Sequence, residues 1–168
     1  MKYLAIVALA VLPVLLHAQH PLVQDFYSVH KRDKGAIALR LDGWIVRAAG
    51  QISEEADVRK VTSKVDRAYV LVLEHNNTVS AGECRAFGRE LSTRGYDPLM
   101  SVREQTSHVE AFVMEDRDTI YSIVLLVRDG ESFVFLCIDG TFKYEDLRNL
   151  EINEEVDEYL DELPVDRA

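Results

Sequence analysis

No stretch of this sequence is long and apolar enough to cross a membrane as a helix. The one extended uncharged run, Leu4 to Leu16, is 13 residues and is interrupted by Pro13, whereas a spanning helix takes about 20 apolar residues. Cysteine is scarce, at two residues, and neither lies in or just after that run. An N-terminal lipid anchor on cysteine is therefore excluded. Positive charge is in deficit: 19 Lys and Arg stand against 29 Asp and Glu, a formal net charge of −10. A chain this acidic is repelled by nucleic-acid phosphates and by anionic lipid surfaces, so nucleic acid is excluded as an expected partner. Catalytic signatures are missing as well: there is no Gly-x-Ser-x-Gly elbow, no His-Glu-x-x-His and no phosphate-binding loop.

What is present begins at the N-terminus. Lys2 is the only charge in the first twenty residues, the apolar run follows, and Ala18 is a small residue at which a signal peptidase could cut. That layout predicts a secretory signal peptide over 1–18 and a protein exported to the periplasm or beyond the cell. Residues 19–150 suit one domain with a real core, and 151–168 form a distinct tail. The tail carries Glu151, Glu154, Glu155, Asp157, Glu158, Asp161, Glu162 and Asp166 against Arg167. Most of the net negative charge therefore sits there. Ile152, Val156, Tyr159, Leu160 and Leu163 recur at helical spacing, which predicts an acidic amphipathic helix. Such a helix docks on its own domain or lays its apolar stripe on a partner, with the acids steering it toward a basic surface.

Between these ends the periodicity alternates. Leu22 to Lys31 reads as a helix and Ala36 to Leu41 as a strand. A short helix through Trp44–Ala49 follows, then a helix with Ser53 as N-cap and Val58, Val61 and Val65 on one face. Arg67 to Glu74 is a strand with apolar residues on both faces. The next helix places Ala81, Cys84, Phe87 and Leu91 inward and stops at Gly95. Four strands come in succession: Leu99–Arg103, Val109–Glu115, Ile120–Arg128 and Ser132–Ile138. Asp129-Gly130 marks a hairpin, Asp139-Gly140 closes the last strand, and a short helix starts at Tyr144. Helices early and strands late predict an α+β fold: a two-layer sandwich with a mixed or mostly antiparallel sheet of about six strands and helices on one face.

The pattern resembles a family at this point. Gly95-Tyr-Asp-Pro-Leu-Met-Ser-Val-Arg-Glu104, Ile120-Tyr-Ser-Ile-Val-Leu-Leu-Val127, Ser132-Phe-Val-Phe-Leu-Cys-Ile-Asp-Gly140 and Tyr144-Glu-Asp-Leu147 are similar to segments of the small exported Bacteroidota envelope proteins grouped as domain of unknown function 4252. The resemblance covers roughly Leu22 to Leu150. It implies an envelope location and no reaction. Many members look like lipoproteins, but the anchoring cysteine is missing here, so that anchoring is not carried over.

Chemistry is sparse in the sequence. Cys84 and Cys137 are a candidate disulfide if the protein is exported, or two buried unpaired thiols. As a nucleophile Cys84 would need His75 or His108 as its base, yet it lies on the inward stripe of its helix, where a thiolate is disfavoured. His30, His75 and His108 are far apart and no Cys-x-x-Cys exists, so neither metal nor cofactor is expected. Asp118-Thr119-Ile120 resembles the O-glycosylation acceptor of exported Bacteroidota proteins, with Thr119 as the modified residue; an ordinary polar turn is the other reading. Together these features point to a non-enzymatic envelope protein that binds a protein partner or senses an envelope ligand. Tyr96, Met100, Phe112 and Met114 are the candidates for its surface. The alternative is a periplasmic small-ligand carrier or hydrolase built from dispersed polar residues such as His75, His108 and Glu110, recognisable by a pocket where they converge.

Overall fold

The computed structural model describes residues 21–74 and 78–148. The signal peptide with its Ala18 cleavage site, His75, and the tail residues Ile152, Val156, Tyr159, Leu160 and Leu163 lie outside the described residues. In chain order the elements are α1 (Pro21–His30), β1 (Ala36–Asp42), α2 (Gly43–Gly50), α3 (Ala56–Ser63), β2 (Val65–Leu73), α4 (Ala81–Thr93), β3 (Asp97–Arg103), β4 (Ser107–Asp116), β5 (Thr119–Asp129), β6 (Ser132–Phe142) and α5 (Tyr144–Arg148). The six strands make one sheet in the order β1-β2-β6-β5-β4-β3. Every pair is antiparallel, which is the α+β architecture expected.

The main core lies between one sheet face and the helices α1 and α4. Val23, Phe26 and Tyr27 from α1 and Cys84, Phe87 and Leu91 from α4 pack on Tyr69, Leu71 and Leu73 of β2 and Phe133, Phe135 and Cys137 of β6. Phe26 is its hub, stacked on Phe87 with ring centroids 4.2 Å apart and tilted against Phe135 at 5.3 Å. Offset and tilted aromatic pairs of this kind add to the burial they already contribute. α4 is defined at both ends. The Ser80 hydroxyl accepts from Glu83 N–H at 3.1 Å, and Gly95 takes φ +90°, letting Tyr96 N–H return to the Leu91 carbonyl at 3.1 Å.

The expectation of helices on one face holds for α1 and α4, but α2, α3 and α5 gather elsewhere. Register shifts at Val65/Arg67, Met114/Glu115 and Ile120/Ser122 fall at the same end of the sheet. Bulges turn strands there, and Val65, Val113, Ile120 and Phe142 form a second cluster with Val46, Val61 and Leu147 from those three helices. Ile123 and Ile138 join this cluster, and they alternate along their strands with Val124 and Cys137 of the main core. The second cluster therefore reaches the opposite face.

Several local readings are corrected here. Val65 continues the helical spacing of Val58 and Val61 but is the first residue of β2, because α3 ends at Ser63. Ser53 is not the cap of α3. Its hydroxyl accepts from Glu55 N–H at 3.2 Å, and Glu55 holds the cap position with no side-chain bond. Asp139-Gly140 is an irregularity inside β6, which runs on to Phe142.

Candidate functional site

The sheet face opposite α1 and α4 carries two complete apolar rows. Ile37, Val72, Val134, Val127, Val109 and Val102 are paired in register across all six strands. Beside them run Leu39, Val70, Leu136, Leu125, Ala111 and Met100. None of these twelve residues belongs to either core cluster. At the sheet edges Ile37 is 52 % exposed, Leu39 48 %, Met100 44 % and Val102 44 %. Of the twelve, only Ala111 is buried. At a strand spacing of about 4.8 Å and a same-face repeat of about 6.8 Å, the rows cover roughly 400 Å². That is the size of the largest apolar patch on an ordinary monomer, which is often functional. Beyond the valine row the next register position holds Asp129, Ser107 and Ser132, and Glu104 and Glu131 are exposed beside it. The rim at that end is acidic.

On the other face, beside the main core, a pocket of about 220 Å³ opens between the start of α4 and the β3–β4 hairpin. Cys84, Arg85, Arg103, His108, Glu110 and Arg128 line it. Arg103, His108 and Arg128 form one cross-strand row. Arg103 Nε donates to His108 Nδ1 at 3.1 Å, which leaves the imidazole proton on Nε2. Nε2 lies 2.8 Å from Glu110 Oε1, without hydrogen-bond alignment. Glu110 Oε2 and Arg128 Nε are buried with no hydrogen-bond partner among the described residues. His108 and Glu110, named from the sequence as parts of a dispersed site, are thus adjacent. Their spacing of two along a strand puts both on one face. Sequence reasoning missed Arg103 and Arg128, although pairing outward from the two hairpin turns would have aligned them with His108.

The other residues singled out from the sequence divide plainly between core and surface. Cys84 and Cys137 are free buried thiols in the same core. Burial pushes the Cys84 thiol up to about 11, with Arg128 opposing and Glu110 and Glu83 reinforcing the shift. Burial, with the nearby Asp139 carboxyl, also holds Cys137 well above the usual thiol range. Thr119 begins β5 directly after the exposed Arg117-Asp118 turn, with Arg117 at φ 57°. Of the four proposed surface residues, Tyr96 and Phe112 are buried in the main core and Met114 packs against it. Only Met100 lies on the open face. Tyr96 OH donates to Ser122 Oγ at 3.1 Å and Ser122 donates to Asp139 Oδ1 at 2.9 Å, so its polar end serves an interior network. His30 is buried and satisfied by Asp33 at 2.9 Å and Glu83 at 3.2 Å. Among the described residues no group of three His, Cys, Asp or Glu could hold a metal ion, and no described helix is long and apolar enough to cross a membrane.

No curated protein matches this chain, and no solved structure does. The family model for Domain of unknown function (DUF4252) matches residues 27–150, which takes in the whole sheet, both apolar rows and the polar pocket. The chain belongs to the DUF4252 family.

Proposed function

We propose that this is an exported, non-enzymatic envelope protein that binds a protein partner through the open sheet face. The observation that carries the reading is the pair of six-residue apolar rows, unbroken from edge to edge. Exposed aliphatic side chains on this scale gain free energy when covered. The partner's chemistry follows from the surroundings. An acidic rim on a chain of net charge −10 repels a second copy and attracts a surface whose apolar stripe is flanked by Lys or Arg. Cys84, which lines the pocket at the start of α4, is held protonated at neutral pH, which supports a binding role over nucleophilic catalysis.

The test is affinity capture from native envelopes with full-length protein, a form stopped after Leu150, and Leu39→Lys and Val102→Lys variants. A partner retained by the truncated form and lost with both lysine variants supports the reading. A partner lost only on truncation moves binding to residues 151–168. Capture unchanged by the lysines overturns the role of the sheet face.

A further inference from the structure

We propose that the acidic C-terminal segment, residues 151–168, docks in the trough between α4 and the edge strand β3, its carboxylates on Arg85, Arg89 and Arg103. The trough lies on the face opposite the apolar rows, so the proposal stands apart from partner binding.

The trough exists because α4 packs on the inner strands and leaves every residue of β3 exposed. Gly88 brings the helix down onto β4: a Cβ there would stand 2.9 Å from the Phe112 ring. A space of about 300 Å³ remains between α4 and β3. It shares Arg85 and Arg103 with the pocket at the start of α4. Phe112, Pro98 and Met100 give it apolar surface, and Arg85, Arg89 and Arg103 give it positive charge. Glu110 lines it as well, with Oε1 against His108 Nε2 at 2.8 Å.

On a chain of net charge −10, these cations lack acids. Among the described residues the guanidinium groups of Arg85 and Arg89 enter no ion pair or hydrogen bond, and Arg103 gives only Nε to His108. Arg94, at the end of the same helix, is by contrast 3.7 Å from Glu90. Arg85 and Arg89 are exposed and four residues apart, so they stand on one side of α4 about 6 Å apart.

The acidic segment matches the trough in both charge and hydropathy. Its apolar stripe is bordered along one side by Glu151, Glu155, Glu158 and Glu162. In the helix that this spacing predicts, those acids recur once per turn, the interval at which α4 presents Arg85 and Arg89. Ile152 to Leu163 would span about 18 Å as a helix, against about 23 Å for the seven residues of β3. The point of departure also fits. The Tyr144 hydroxyl at the start of α5 donates to Glu115 of β4 and lies within electrostatic reach of Asp97, the first residue of β3. A segment tethered there has an effective concentration on the order of millimolar, which favours it over an acidic segment of another protein. The apolar rows suit it less, because Asp129 and Glu131 stand at their rim.

The experiment uses the full chain with a photoreactive residue in place of Tyr159, crosslinked peptides being mapped by mass. Crosslinks within one chain, to residues 81–103, are expected. Their yield should fall about fivefold in the Arg85→Gln, Arg89→Gln double variant, the loss of two exposed ion pairs, and thermal unfolding checks that this variant is folded. In the chain with both arginines intact, salt at about 1 M, where the Debye length is about 3 Å, should lower the yield in the same direction. The charge dependence is thus read without relying on a variant. Crosslinks to the apolar rows, crosslinks that join two chains, or none at all overturn the proposal. So does a yield undiminished in the folded double variant.

Discussion

Asp146 of α5 and Lys60 of α3 are joined by an ion pair at 2.9 Å, and Lys64 closes on the second carboxylate oxygen. The Asp146 side chain is 3 % exposed and also accepts from Lys143 N–H at 2.9 Å. The Lys64 hydrogen bond, the Lys143 amide and Lys60 hold its carboxyl well below the usual carboxylate range. A carboxyl depressed in the folded state contributes stability above its unfolded pKa and loses it as pH falls toward the folded value. Asp146→Asn should therefore cost about 2 kcal/mol at neutral pH. The gap from the parent should narrow as pH falls below about 4. Urea unfolding of both proteins across pH checks this, and a pH-independent gap would count against the ion-pair account.

Gly43, where β1 becomes α2, is fixed by backbone. A Cβ there would stand 2.3 Å from the Val65 carbonyl oxygen and 2.9 Å from that of Asp66. Carbonyls in a strand cannot step aside as a flexible side chain can. Gly43→Ala is expected to cost about 2–3 kcal/mol, and thermal unfolding gives the answer. By contrast, a Cβ at Gly82 would meet nothing closer than Ser80 Oγ at 3.7 Å, so Gly82→Ala should be neutral or slightly stabilising.

Cys84 and Cys137 should behave as shielded thiols. With the Cys84 thiol pushed up from the ordinary value of 9.0 to about 11, its thiolate at neutral pH is roughly 100-fold rarer than that of an unshifted cysteine. Iodoacetamide labelling of the folded protein is expected to be slow and to speed up about tenfold per pH unit below that value. Cys137, fully enclosed, should label only on unfolding. Two thiols titrated after denaturation without reductant fit this account, and none would show a disulfide.

The exposed edges of the apolar rows should tolerate charge in isolation. Leu39→Lys and Val102→Lys place a lysine where about half the side chain is in water. Stability should stay within about 0.5 kcal/mol of the parent. Binding of a hydrophobic dye should fall with each substitution, and a large loss of stability would mean that something covers these positions.

Much of this fold could be read from residue order. Cys84, Phe87 and Leu91 recur at helical spacing, Gly95 stops α4, and the hairpin at Asp129↔Ser132 turns through Gly130 at φ 50°. Local spacing misled where two periodicities agree. Val58, Val61 and Val65 fit one helical face, but the chain turns at Lys64 and the last of them starts a strand. β3 begins at Asp97 and contains Pro98, which an edge strand tolerates because one side of its backbone is unpaired. The bulges carrying β6 past Gly140 left no mark in its composition. The candidate surfaces were the hardest part. Val70, Val72, Val134 and Leu136 look like core residues in any single strand, and only the registry of six strands shows that they lie together on the face opposite α1 and α4, outside both core clusters. Tyr96 and Phe112 made the opposite error, looking like surface aromatics until α4 was placed above them.

The central claim, that the twin apolar rows are a partner surface, is tested most directly by site-specific photo-crosslinking in native envelopes. The photoreactive residue would replace Val134 or Leu125 on the open face and, as control, Arg89 on α4. A crosslink to one distinct protein is predicted from Val134 and Leu125, and none from Arg89. The crosslinked segment should be an apolar stripe bordered by Lys or Arg. Crosslinks from the face that join only this chain to itself, or equal capture from all three positions, would contradict it.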